Sequence, residues 1–436
     1  MSTNTKKPTI PTVSRLSPDG TIVELLYNGE ERTTALAVSR SDGSVSVEPF
    51  LDLASDERLV PYSPTNNLIS TGCVLLPSAI GAFAGKQALV DEVRAFIHRY
   101  VDLSPLFEEI AAHYVLLTWV YDAFNELGYL RFRGDYGTGK TRALLAVGSL
   151  CYKPFFASGA STVSPIFHVL EVFRGTLVLD EADLRFSDAT ADLTKILNNG
   201  NVAGLPLLRT MSNRHRELNP QAFRVYGPKL VAMRQSFSDA ALESRFLTEE
   251  TSGRSLRSDI PIQLPDSLKV EAELLRNKLL AWRFHARSTV GPDASRLVDG
   301  IEPRFNQSAL ALLSLVDDED LRRRIGAELV LEEARVLQER ASSNEATMLG
   351  ALYEAISTSP DGRISVSDIA NAFNRKADGG RGARVTNKWV GGFLRNRLRV
   401  ATVKSHGVYV VPATERPKID ALAKRFGVTA AASDPV

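Results

Sequence analysis

Cysteine is scarce: Cys73 and Cys151 are the only two in 436 residues. That excludes a disulfide scaffold, and a cysteine-built metal module too, because metal-ligand spacing is absent. One bridge between the two stays open beside the alternative of two reduced thiols. Charge of one sign is also lacking, with 52 basic against 51 acidic residues and a net +1. The whole chain is therefore no polycation, and contact with a polyanion requires local basic patches. No apolar run reaches the length of about 18 residues that a membrane-crossing helix needs. The polar start Met1–Lys7 has no apolar stretch behind it, so no secretory leader is expected and the cytoplasm is the expected compartment. Internal repeats are not seen either. What is present is apolar material, 44% of the chain, enough to build cores in roughly two to four folded units.

The pattern sorts into blocks. Residues 1–19 are polar, carry Pro8 and Pro11, and read as a disordered lead. Over 20–60 apolar and polar residues alternate, and Asn28-Gly29 and Asp42-Gly43 supply turns, as in β-hairpins. From 85 to 127 the chain reads as helical, with Leu106–Leu127 strongly apolar. Then strands alternate with helices. Tyr129–Arg133 is a short strand, while Thr176–Leu179 and Lys229–Met233 are the continuous runs of a buried parallel sheet. Further on, Leu268, Ala272, Leu275, Leu279 and Trp282 share one helix face, and Leu321, Ile325 and Leu329 begin another.

Between the first strand and its helix lies Gly134-Asp135-Tyr136-Gly137-Thr138-Gly139-Lys140-Thr141, a G-x-x-x-x-G-K-[ST] loop; these eight residues and the next, Arg142, are the expected nucleotide-binding residues. Its glycines let backbone N–H groups turn inward around phosphates; Lys140 reaches the outer phosphates and Thr141 binds Mg²⁺. The helix that starts there offers its positive end to the same anion. The next strand, Thr176–Leu179, ends in Asp180-Glu181. By itself this is an ordinary acidic strand end. After such a loop it supplies a carboxylate for Mg²⁺, Asp180, and one to orient and deprotonate the attacking water, Glu181. ATP and Mg²⁺ are the expected cofactors, and an intact Glu181 points to hydrolysis.

Over roughly 85–340 these motifs resemble the AAA+ ATPases, on the side of the minichromosome maintenance and superfamily-three helicases of phages and mobile elements. The likeness runs on through Pro228–Phe246. There the resemblance implies a sensor at the end of a strand beside Asp180's, and an arginine finger, Arg245, acting on a neighbour's nucleotide. The sensor departs from the family's Asn or Thr: the chain offers Arg234 or Gln235, with a structural ion pair as Arg234's rival role. Pro303-Arg304 resembles the opening of the second sensor, which makes Arg304 a nucleotide-facing candidate or a lid-packing arginine.

Gly204–Tyr226 places two alternating runs around a basic tip, a hairpin pattern. By the same resemblance the tip residues Arg214, His215 and Arg216 contact nucleic acid; the plainer alternative is a solvated basic turn. The last block reads as a winged helix: helices over 346–356, 365–373 and 386–398, then a hairpin wing around Ser405-His406-Gly407. Within 375–404 nine cations face one acid, Asp378. Arg384, Lys388, Arg395, Arg397 and Lys404 are therefore candidate DNA contacts, although winged helices also dock proteins.

The expected fold is α/β: an AAA+ P-loop core with a parallel sheet and helical lid, a small β-rich N-terminal module and a C-terminal winged helix. The expected divisions are a disordered lead over 1–19, the β-rich module over 20–84, the ATPase core over 85–265, the lid over 266–342, the winged helix over 343–414 and a tail over 415–436 with room for one short helix. The implied function is an ATP-hydrolysing motor on single-stranded or forked DNA, assembled as a ring, six by family habit. It would serve as a replicative helicase or translocase of a phage or mobile element, with an ATP-dependent loader or regulator as the alternative.

Overall fold

The computed structural model describes residues 7–159, 161–180, 188–212, 218–237, 239–252, 257–341, 344–359, 364–377 and 384–428. The chain divides into two compact units, 1–329 and 330–436.

The first unit is built on a sheet of five parallel strands: β1 (Tyr129–Arg133), β2 (Phe155–Ser158), β3 (Leu177–Asp180), β4 (Lys229–Met233) and β5 (Phe246–Glu250), in the order β5-β1-β4-β3-β2. Leu177, Val178 and Leu179 are buried, as is all of β4, because helices cover both faces of such a sheet. The helix Lys140–Leu150 follows β1 and lies so close to the sheet that a Cβ on Gly148 would stand 3.1 Å from both methyls of Val178. The expected helical stretch over 85–127 is two helices, Lys86–Tyr100 and Pro105–Val120. Ser104 caps the second through Phe107 N–H, and Pro105 opens it, where its missing N–H costs nothing. That helix is buried almost all round, and Trp119 Nε1 donates to Leu150 O at 2.9 Å. The face made by Leu268, Ala272, Leu275, Leu279 and Trp282 is buried in the Ser267–Ala286 helix, as the spacing predicts.

Two expectations about the N-terminus need correction. Within the expected disordered lead, Thr9–Thr12 pairs in parallel with Arg58–Pro61, and Ser14–Leu16 is the first strand of a four-stranded antiparallel sheet. Nor does the β-rich segment have a core of its own. Val23, Leu25, Leu36 and Val38 belong to one apolar cluster with Phe155, Phe167 and Leu177. A buried ion network adds to this: Glu24, 1% exposed, bonds Lys153 at 2.6 Å and Arg283 at 2.8 Å. Burial alone would raise the Glu24 pKa, but Lys153 and then Arg283 outweigh it and hold the carboxyl below its ordinary value.

The second unit packs the helices Asn344–Thr358, Val366–Ala377 and Asn387–Asn396 against a three-stranded antiparallel sheet that ends in the hairpin Val403–Ser405 and Val408–Val411. Ser365 Oγ caps the middle helix through Asp368 N–H at 3.0 Å. The expected tail is part of this body: Arg416–Arg425 is a helix, and its Ile419 is fully buried with Leu349, Ile369, Val390 and Leu394. Trp389 is 40% exposed and lies against Phe373 and Phe393. Among the described residues no helix is long and apolar enough to cross a membrane.

Candidate nucleotide site and basic surfaces

The loop from Gly134 to Gly139 leaves β1 and enters the Lys140–Leu150 helix. Gly137 and Gly139 have φ of 74° and 87°, a region glycine occupies freely. Gly134 is needed for space: a Cβ there would meet Thr251 Oγ1 at 2.4 Å and Ser252 Oγ at 2.8 Å. These two residues, which follow β5, brace the loop. Ser252 Oγ accepts from Asp135 N–H at 3.0 Å, Thr138 Oγ1 lies 2.8 Å from Thr251 Oγ1, and Thr251 Oγ1 donates to Arg133 O at 3.0 Å. Sequence reasoning misses both residues, since more than a hundred positions separate them from the loop; only the pairing of β5 with β1 brings them there.

Lys140 Nζ donates to Gly134 O at 2.6 Å and also to Asp135 O, so the ammonium lies across the loop's mouth. Thr141 Oγ1 donates to Asp180 Oδ2 at 2.8 Å. A hydroxyl and a carboxylate, side by side at a helix N-terminus, are the hard oxygen donors Mg²⁺ takes from a protein, with phosphates and water completing its octahedron. Among the described residues no cluster of three or more His, Cys, Asp or Glu could hold an ion by itself. Glu181 lies outside the described residues.

The structure corrects one expected contact. Arg142 donates to Tyr100 O at 3.3 Å and Ile262 O at 2.5 Å. Its guanidinium clips flanking segments to the helix and is not aimed at phosphates. Arg234 follows β4 directly and stacks on the exposed Tyr136 ring of the loop, Cζ 3.4 Å from the ring centre. Behind it, Glu243 accepts two bonds from the buried Arg131, at 2.7 and 2.8 Å, and a third from Phe237 N–H, which fixes the turn after β4.

Arg245 and Arg304 lie elsewhere. Arg245 O accepts from Tyr129 N–H at 2.8 Å, so it stands at the start of β1, whereas the loop leaves the end. Five residues of strand put roughly 15 Å between those ends. The Arg245 guanidinium donates to Leu197 O at 3.1 Å and to Asn198 O, and its buried Nε has no partner among the described residues. Burial lowers its pKa; Tyr129 opposes that shift and Arg304 adds to it. Arg304 is exposed in the first turn of the Pro303–Leu313 helix, whose Ser308 O presses on Gly128, just before β1. Both arginines thus gather at the far end of the sheet, and Arg304 does not face the loop of its own chain. Lys229 is fully buried at the same end, donating to Gly200 O, Val225 O and Gly227 O, and burial reinforced by Arg245 pulls its pKa to about 7.

The expected hairpin is present. Leu207–Ser212 pairs antiparallel with Leu218–Phe223, with Ser212 opposite Leu218. Arg214, His215 and Arg216 fall in the intervening segment, outside the described residues. In the second unit Arg384, Lys388, Arg395, Arg397 and Lys404 are all exposed. Arg395 donates to Thr402 Oγ1 at 2.8 Å, and Lys404 stands opposite Tyr409 in the hairpin. Arg375 and Lys376 are instead engaged with Glu354, which moves the available charge toward the third helix and the hairpin.

No protein-family model matches the chain, and no curated protein does. Solved structures similar to it include the NrS-1 C-terminal region in its apo A form, at 12% identity over 89% of this chain and 95% of that one, TM-score 0.37. Another is described as SCCmec type IV Cch, an active helicase, at 13% identity over 95% and 80%, TM-score 0.43. A third is the JCV helicase with a bound thiazolopyridine compound, at 16% identity over 61% and 65%, TM-score 0.24. At these identities and TM-scores the functional reading rests on the geometry of the site itself.

Proposed function

We propose that the chain is a Mg²⁺-dependent ATPase of the AAA+ type that works on DNA as a ring, as the helicase or translocase of a phage or mobile element. The observation that carries the proposal is the contact of Thr141 with Asp180 beside Lys140, at the mouth of the Gly134–Gly139 loop. The loop's N–H groups and Lys140 bind and orient the triphosphate. Thr141 and Asp180 hold Mg²⁺, which offsets charge on the phosphate oxygens. Glu181, next in the chain, accepts the proton of the attacking water. Arg234 serves as the sensor, a role supported by its place beside the loop at the end of the strand between β1 and β3.

Arg245 and Arg304 complete a neighbour's site. Their position at the opposite end of β1 supports this, because neither is placed to serve its own loop. Head-to-tail contacts of that kind close into rings, here a hexamer. The helices from 267 to 341 act as the lid and the second unit as a winged helix that holds DNA. Arg214, His215 and Arg216 grip the strand in the ring's channel. Replacing all three with alanine should abolish stimulation of the ATPase by single-stranded DNA and spare basal turnover. Equal loss of both would remove the DNA-gripping role. Unwinding of a forked duplex separates a helicase from a loader, which would hydrolyse ATP and leave the fork closed.

A further inference from the structure

At the base of the hairpin, away from the phosphate loop, lies a cleft of about 480 Å³. Its floor is aromatic: the half-buried Tyr226 beside Tyr121 and Phe124, which are buried to 6% and 4% exposure and back it. Those rings are fixed. Tyr121 Oη donates to Arg174 O at 2.8 Å, Tyr226 Oη donates to Phe124 O at 2.5 Å, and the two tyrosine rings are 5.7 Å apart. One wall is Leu205, 55% exposed although apolar.

Among the described lining residues are two arginines, Arg174 and Arg224, and one acid, Asp122. Arg224 is bonded to Glu171, and Asp122 to Arg283 and Arg287. Arg174 is exposed at the rim and bonded to no carboxylate among the described residues. It also has a left-handed backbone, φ 48°, as the cap of the Val163–Phe173 helix. Glycine adopts that conformation freely and arginine only at a cost, yet glycine comes one residue later, at Gly175.

A rigid aromatic floor, an apolar wall and a rim cation fit a flat base joined to a phosphate. We propose that the cleft seats one nucleotide of a DNA single strand running down the hairpin, base on the floor and phosphate on Arg174. The assignment rests on the DNA-acting reading above. The same chemistry would accept a free nucleotide, and the test separates the two.

Labelled dT20 is titrated into the full chain by fluorescence anisotropy. dTMP is titrated by calorimetry into the Lys140→Ala chain, where the phosphate loop is disabled. Arg174→Gly and Leu205→Asp should each raise the Kd for dT20 about fivefold or more. Arg174→Gly should also cut the log–log salt slope by about 0.7, the loss of one phosphate contact. Its melting temperature should not fall, since glycine suits that backbone. If wild type binds dT20 and both variants match it within about twofold, the cleft assignment fails and the DNA reading stands. If dTMP binds and dT20 does not, the strand is overturned as the occupant, and the DNA reading with it. If neither binds, both fall.

Discussion

Lys140, Thr141 and Asp180 can be found from residue spacing, because a phosphate cradle imposes a fixed local order on its glycines, lysine and hydroxyl. The residues that hold the cradle in shape follow no such rule. Thr251→Val removes a hydroxyl that bonds both Thr138 and Arg133. It should raise the KM for ATP by about three- to tenfold, in keeping with a lost hydrogen bond of about 1 kcal/mol. Steady-state kinetics would show this, and an unchanged KM would deny Thr251 its bracing role. Arg142 is the opposite case: its place next to the motif suggests phosphate, while its bonds to Tyr100 O and Ile262 O make it a clip. Lys229 gives a pH test. Its pKa is about 7 folded against 10.5 for the ordinary side chain. Between those values the unfolded chain holds the extra proton, so this group's contribution to stability rises with pH. Relative to Lys229→Met, wild type should therefore gain up to about 1.4 kcal/mol per pH unit between about pH 7 and 9.5. Urea unfolding of both proteins across that range measures it; parallel curves would contradict a neutral buried lysine.

The elements of the sheet are legible because burial on both faces demands continuous apolar runs, and Leu177–Leu179 and Leu230–Met233 have them. The order β5-β1-β4-β3-β2 is not legible, since no local pattern states which strand lies beside which. Gly148 shows how tightly helix and sheet meet. Gly148→Val should destabilise the first unit by about 1–3 kcal/mol through overpacking against Val178 and Phe156. The reading of residues 20–84 as a separate module goes wrong at Glu24. In an alternating strand a glutamate marks the solvent face, but this one is buried against Lys153 and Arg283, two cations far away in sequence. Glu24→Gln leaves Lys153 without its carboxylate and Arg283 with Asp122 alone, and should cost about 3–5 kcal/mol. Loss of the N-terminal sheet and the core in one unfolding transition would confirm that they share it. Two separate transitions would restore the independent module.

For the whole molecule, the proposed ring makes a lone subunit an incomplete enzyme, since Arg245 stands away from its own phosphate loop. Arg245→Ala and Lys140→Ala chains, each inactive alone, should regain part of the activity when mixed, because some interfaces then pair an intact loop with an intact arginine. No recovery at any ratio would contradict the ring. For the second unit, the proposed winged helix predicts salt-sensitive binding to DNA through its exposed Arg384, Lys388, Arg395, Arg397 and Lys404. All of this depends on the pocket formed by Lys140, Thr141 and Asp180. The direct measurement is phosphate release from Mg²⁺-ATP by the full chain, wild type beside Lys140→Ala. Sustained turnover that requires Mg²⁺ and falls at least about a hundredfold in the variant is the expected result. Equal release by both, or none by wild type even with DNA present, would contradict the account.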